Sequence, residues 1–87
     1  MGKHSLVSVD ENTIQIPLTE KKRLHLEKKL YDGEEVIDMR LWCFWEEKQL
    51  WYPTKKGIFL PIHLIKEQFM PAIVKLLEPA ENVNNKD

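Results

Sequence analysis

The chain has 87 residues, with 13 Lys and Arg against 14 Asp and Glu, a formal net charge of −1. So short a chain makes one domain at most, and domains of this size class bury only about 60% of the surface their unfolded chains expose, so they often lean on a partner subunit. The balance excludes a uniformly basic, histone-like protein and an acidic disordered tail; one cysteine excludes an intrachain disulfide framework and a multi-Cys zinc site. No apolar run approaches the roughly 18–20 residues of a membrane span. The first residues are polar, unlike a signal peptide, and the expectation is a small soluble cytoplasmic protein.

Residues 6–18 read as a short hairpin. Leu6-Val7-Ser8-Val9 is followed by a polar turn, Asp10-Glu11-Asn12, and by Ile14, Ile16 and Leu18 on one side. Pro17 is expected to confine the second arm to an edge. From 22 to 31 the period of two is clearer: Leu24, Leu26 and Leu30 share one face, while Arg23, His25, Glu27, Lys29 and Tyr31 share the other. Asp32-Gly33 is a strong hairpin signal. From Glu35 to Trp45 the alternation continues, with Ile37, Met39, Leu41, Cys43 and Trp45 on one face and Val36, Asp38, Arg40, Trp42 and Phe44 on the other. After the polar turn Glu46-Glu47-Lys48, a further strand starts at Leu50. Gly57 interrupts it, suggesting a bulge or a close backbone approach, before Ile58-Phe59-Leu60 resumes.

Pro61 is expected to open a helix, with Ile62, Ile65, Phe69, Ile73, Leu76 and Leu77 at helical spacing. Pro71 inside that run is expected to kink or divide it, Pro79 to end it, and residues 80–87 to form a disordered tail. Strands first and one helix last give an α+β chain whose helix covers only one face of an antiparallel sheet. The other face would carry Lys29, Tyr31, Arg40 and Trp42. Rings interleaved with cations on an open sheet suit single-stranded nucleic acid; burial against a second subunit or the N-terminal hairpin is the alternative.

Charge is segmented along the chain. Residues 21–31 carry a net +4, residues 32–47 a net −5 and residues 48–56 a net +3. The two basic blocks either close into one basic face, to which a polyanion would respond, or are solvated strand edges protected by Lys. The three histidines, His4, His25 and His63, show no metal-ligand spacing. Cys43, alternating with apolar positions, reads as buried. There is no phosphate-binding glycine loop, nucleophile elbow or paired His, and an enzyme, a metal or another cofactor is not expected. Trp45 and Trp51 are expected in the core or at a dimer interface.

Val36-Ile37-Asp38-Met39-Arg40-Leu41-Trp42, a short acidic turn, then Pro53-Thr54-Lys55-Lys56-Gly57-Ile58-Phe59-Leu60 and a helix resemble the positive cofactor four family of transcriptional coactivators. The likeness covers about residues 22–77 and includes Tyr31-Asp32-Gly33 at the expected hairpin. It implies a curved antiparallel sheet of about four strands followed by one C-terminal helix, in a homodimer, to which the hairpin read at 6–18 is an N-terminal addition. Residues 1–20 would then be an extension, 21–79 the binding domain and 80–87 the tail. Two subunits would pair through their helices, by Ile65, Phe69, Ile73 and Leu76, and bind single-stranded DNA with little sequence preference. Tyr31 would stack on a base, and Lys22, Lys29, Arg40, Lys55 and Lys56 would contact phosphates.

The chain departs from that family in three places. A family tryptophan three positions after the arginine aligns with Cys43, leaving Trp42 or Trp45 to take over its stack. Glu34 and Glu35 replace a basic residue after the hairpin glycine, which weakens phosphate attraction there. Residues 1–20 lie outside the matched motifs. The resemblance implies a role in transcription, replication or recombination, with transcription or replication proteins as further partners. The lack of a long Ser/Lys-rich arm points to a bacterial or phage-infected cytoplasm. The other function class is a protein-interaction module that uses the aromatic face without nucleic acid.

Overall fold

A computed structural model describes residues 6–79. Five strands, β1 (Val7–Asp10), β2 (Thr13–Thr19), β3 (Lys22–Tyr31), β4 (Glu34–Trp45) and β5 (Leu50–Pro61), form one antiparallel sheet in chain order. A C-terminal helix follows, made of α1 (Ile62–Leu64), a π turn (Ile65–Phe69) and α2 (Met70–Leu76). The expected tail at 80–87 and His4 lie outside the described residues.

The β3–β4 hairpin forms for the reason its sequence gives. Asp32 and Gly33 both take positive φ, 56° and 80°, as a two-residue primed turn requires, and Tyr31 pairs with Glu34 across it. Ten consecutive pairs follow, from Tyr31↔Glu34 to Lys22↔Cys43. With a side-chain period of two, this register places Arg23, His25, Glu27, Lys29 and Tyr31 beside Trp42, Arg40, Asp38, Val36 and Glu34 on one face. Leu24, Leu26 and Leu30 lie beside Leu41, Met39 and Glu35 on the other.

The N-terminal hairpin is a continuation of the sheet, which corrects the expected count of about four strands to five. β2 pairs with β3 from Thr13↔Glu27 to Pro17↔Arg23 and carries β1 on its far side through Val7↔Gln15 and Ser8↔Ile14. β2 is thus an inner strand over residues 13–15, and Pro17, past the Val7↔Gln15 pair, continues the ladder to β3 opposite Arg23.

β5 is one strand with a bulge. Arg40 pairs with Gly57 and Trp42 with Pro53, so Thr54, Lys55 and Lys56 together oppose Leu41. The bulge is fastened from inside: Thr54 Oγ1 donates to the Leu41 carbonyl at 2.8 Å and accepts from the Lys56 N–H at 3.1 Å. Gly57 is required by close approach. A Cβ there would lie 2.8 Å from the Met39 carbonyl oxygen and 2.9 Å from Arg40 Cζ.

Pro61 ends β5 and precedes the helix, which begins at Ile62. Pro71 does not divide the helix: the backbone stays right-handed helical at Leu64, Ile65, Phe69 and Met70. Instead a π turn precedes the proline, with the Met70 N–H bonded to the Ile65 carbonyl. That wider turn opens the helix where an α-helical ladder would set the pyrrolidine ring against the Glu67 carbonyl. No helix among the described residues is long and apolar enough to cross a membrane.

The core is sparse. Val36, 3% exposed, is the one buried apolar residue among the described residues. Ile62, Leu64, Ile65 and Phe69 are half-buried, but every described residue from Met70 onward is exposed, Leu76 and Leu77 to 80% and 77%. On the sheet, Leu30, Leu50 and Ile58 are exposed as well.

Candidate nucleic-acid interface

The face shared by Arg23–Tyr31 and Val36–Phe44 holds a groove. Its middle, about 360 Å³, is lined by His25, Glu27, Lys29, Asp38, Arg40, Trp42, Pro53, Thr54 and Lys55. An adjoining hollow of about 240 Å³ shares Lys29, Asp38 and Arg40 and adds Tyr31, Val36 and Phe59. The β3–β4 register therefore lays cations and rings along one line.

Asp38 is the hub of this line. It is buried, 9% exposed, and Lys29 Nζ donates to its Oδ2 at 3.2 Å. Arg40 Nε lies 3.4 Å from Oδ1, an ion pair whose geometry leaves that buried oxygen without a hydrogen bond. Arg40 Nη1 donates to the Thr54 carbonyl at 3.1 Å, so the bulge also aims the guanidinium. Gly57 leaves the space that it occupies.

Three aromatic stations accompany these cations. Tyr31, 58% exposed, packs on Phe59 with ring centroids 4.7 Å apart. His25 lies flat on Trp42 at 4.4 Å and 18°; its Nδ1 faces Gln15 Nε2 at 3.0 Å and its Nε2 faces Glu27 Oε1 at 3.3 Å. Arg23 lies 3.6 Å from the centroid of Trp51, which also meets Phe44 at 5.3 Å. Gln15 accepts from Arg23 Nη1 at 2.7 Å, so one amide fixes both Arg23 and His25.

Of the residues expected at the site, Lys29, Tyr31, Arg40, Trp42 and Lys55 come together on this face. Lys22 does not: it pairs with Cys43, so alternation sends it to the opposite face with Leu24, and Arg23 takes the groove side. Lys56 is exposed on the bulge beside the groove and lines neither hollow. Trp42 shares Arg40's face, but one side of its ring is already covered by His25. Cys43 is half-buried on the other face. Trp45 is there too, exposed against Tyr52 and Lys48.

Sequence reasoning missed Phe59 as a groove residue, and Gln15 and Trp51 as residues of the groove face. Trp51 was expected in the core or an interface, but its pairing with Phe44 puts it on the groove face. The available signal was the alternation of β5: Trp51, Pro53, Gly57 and Phe59 fall on one parity, and a bulge that sets three residues against one keeps that parity intact. Among the described residues no three His, Cys, Asp or Glu side chains gather to hold a metal. No family model matches the chain, and neither the curated proteins nor the solved structures contain a match. The likeness to the coactivators therefore stands on its motifs alone.

Proposed function

We propose that this chain is a homodimeric, sequence-nonspecific single-stranded DNA-binding protein of the kind that positive cofactor four coactivators represent, with a curved sheet as its binding platform. It serves transcription, replication or recombination in a bacterial or phage-infected cytoplasm and carries no catalytic role. One observation carries the reading: Tyr31, Lys29, Arg40, Trp42 and Lys55 share one sheet face and line adjoining hollows. Bases stack on rings at about 1–3 kcal/mol each, while cations follow the backbone without reading base edges. Glu27 and Asp38 on the groove floor repel phosphate, which favours a strand lying with its phosphates toward Lys29, Arg40 and Lys55 and its bases over the rings.

The sparse core supports the dimer. Ile73, Val74, Leu76 and Leu77 are exposed on a helix that has too little sheet to pack against, and a second copy supplies the missing surface in a closed two-fold pair. Ile65 and Phe69 are half-buried within one chain, so they support that interface from beneath while Ile73 and Leu76 make it.

The rival reading, a module that takes a protein or peptide on the aromatic face, draws on the fact that Lys29 and Arg40 already hold a carboxylate. Fluorescence anisotropy of a labelled oligo-dT of about 20 nucleotides, beside a duplex of equal length, separates the two. Salt-sensitive binding with preference for the single strand is expected, because cations that replace counterions must lose affinity as salt rises. Absence of binding at low salt would leave the face to a protein ligand.

A further inference from the structure

We infer that the groove continues past Trp42 into one more nucleotide subsite, built by Arg23, Gln15, Phe44 and Trp51, which takes a phosphate and its base from a single-stranded nucleic acid. The inference rests on the single-strand reading above.

The sheet register places this cluster. Arg23 pairs with Trp42 and Phe44 with Trp51, so Arg23 and Trp51 occupy the rows where the His25–Trp42 stack ends. Rows on one face of a strand repeat every two residues, about 6.8 Å. The Arg23 side chain starts on β3 and reaches across β4 to lie on a ring of β5.

Its chemistry differs from that of the other groove cations. Lys29 and Arg40 share Asp38, whereas no carboxylate pairs with Arg23 among the described residues; its contacts are the Gln15 amide and the Trp51 ring. A guanidinium has five N–H donors, and Gln15 accepts from only one of its nitrogens, Nη1. The others are left for a phosphate, which guanidinium recognises in bidentate fashion. One plane of the guanidinium rests on Trp51, and the opposite plane can receive a base, since bases stack on arginine as they do on rings. Gln15 holds the plane in place beforehand, so less side-chain freedom is lost on binding.

The test is a length series of labelled oligo-dT, about 6, 10 and 16 nucleotides, spanning the site sizes such platforms take, against the whole chain and two variants. Arg23→Met keeps an unbranched stem against Trp51; Gln15→Ala keeps the guanidinium but releases it, and serves as the measurement if the first variant does not fold. The wild-type chain should gain affinity with length. Arg23→Met should reach its plateau at a shorter oligo, bind the longest one about tenfold more weakly, and lose about 0.7 from the salt slope. Gln15→Ala should weaken the longest oligo to a lesser degree with the slope unchanged. If wild type binds but both variants keep its length profile and slope, the subsite is overturned and the single-strand reading survives. If wild type binds none of the oligos at low salt, that reading falls and the subsite with it.

Discussion

The two faces of β4 are made by one run of twelve residues, yet they have opposite chemistry. Val36, Asp38, Arg40, Trp42 and Phe44 look into the groove, where cations are held by carboxylates, an amide and a backbone carbonyl. Ile37, Met39, Leu41 and Cys43 look the other way, among Leu24, Leu26, Ile58 and Tyr52. The polar face is organised within one chain by side chains that aim one another. The apolar face and the helix beyond it are unfinished, with Ile58 and Leu76 both exposed. A face of cations and rings can thus be organised within one chain while large apolar side chains on the opposite face and the helix stay exposed.

The sharpest way to break that comparison is to attack the unfinished side. Ile73→Asp and Leu76→Asp should each weaken the proposed dimer by about 2–4 kcal/mol, as for other interface anchors, and loosen the fold with it. Sedimentation velocity over a concentration range checks this. A monomer at all concentrations in the unmodified chain would remove the dimer instead.

Gly57→Ala tests the point where the two sides meet, because the added methyl must displace the Met39 carbonyl or the Arg40 guanidinium. Overpacking of this kind costs about 1–3 kcal/mol. In a domain of this size that is a fall in melting temperature of at least several degrees, roughly 4–8 °C per kcal/mol. Thermal unfolding followed by circular dichroism reads it, and an unchanged midpoint would show that the bulge gives way freely.

Tyr31→Ala sharpens the comparison from the groove side. It should weaken oligo-dT binding by about 1–3 kcal/mol with the salt slope nearly intact, while Trp45→Ala, on the far face, should leave affinity for the oligo within the error of the titration. Equal losses in the two variants would show that rings matter through the fold and not through stacking.

Much of this was legible in the sequence, for physical reasons that differ by segment. The β3–β4 hairpin was readable because Asp32-Gly33 demands a primed turn and the alternation on either side is nearly unbroken. The side of every groove residue on those two strands followed. Lys22 was misplaced because it came from the family likeness, although its own spacing from Leu24 already put it on the apolar face. The joining of β2 to β3 was obscured because Glu20-Lys21, the turn between them, contains no Gly or Asn and takes no positive φ. The bulge at 54–56 was announced by Gly57, but its size was not. The triad of Gln15, Arg23 and His25 and the reach of Arg23 to Trp51 depend on the register of four strands at once, which no local pattern encodes. The π turn before Pro71 was likewise unreadable, since a proline in a helical run is compatible with a kink, a break or a widened turn.

The most direct measurement compares salt slopes on the two faces. Binding of oligo-dT would be titrated across a range of salt for the unmodified chain, for Lys55→Ala on the groove and for Lys22→Ala on the opposite face. Each phosphate contact contributes about 0.7 to the slope on a single strand. The groove assignment predicts a slope reduced by about that amount in Lys55→Ala and unchanged in Lys22→Ala. A slope that falls in Lys22→Ala and holds in Lys55→Ala would place the nucleic acid on the apolar face and contradict the groove assignment.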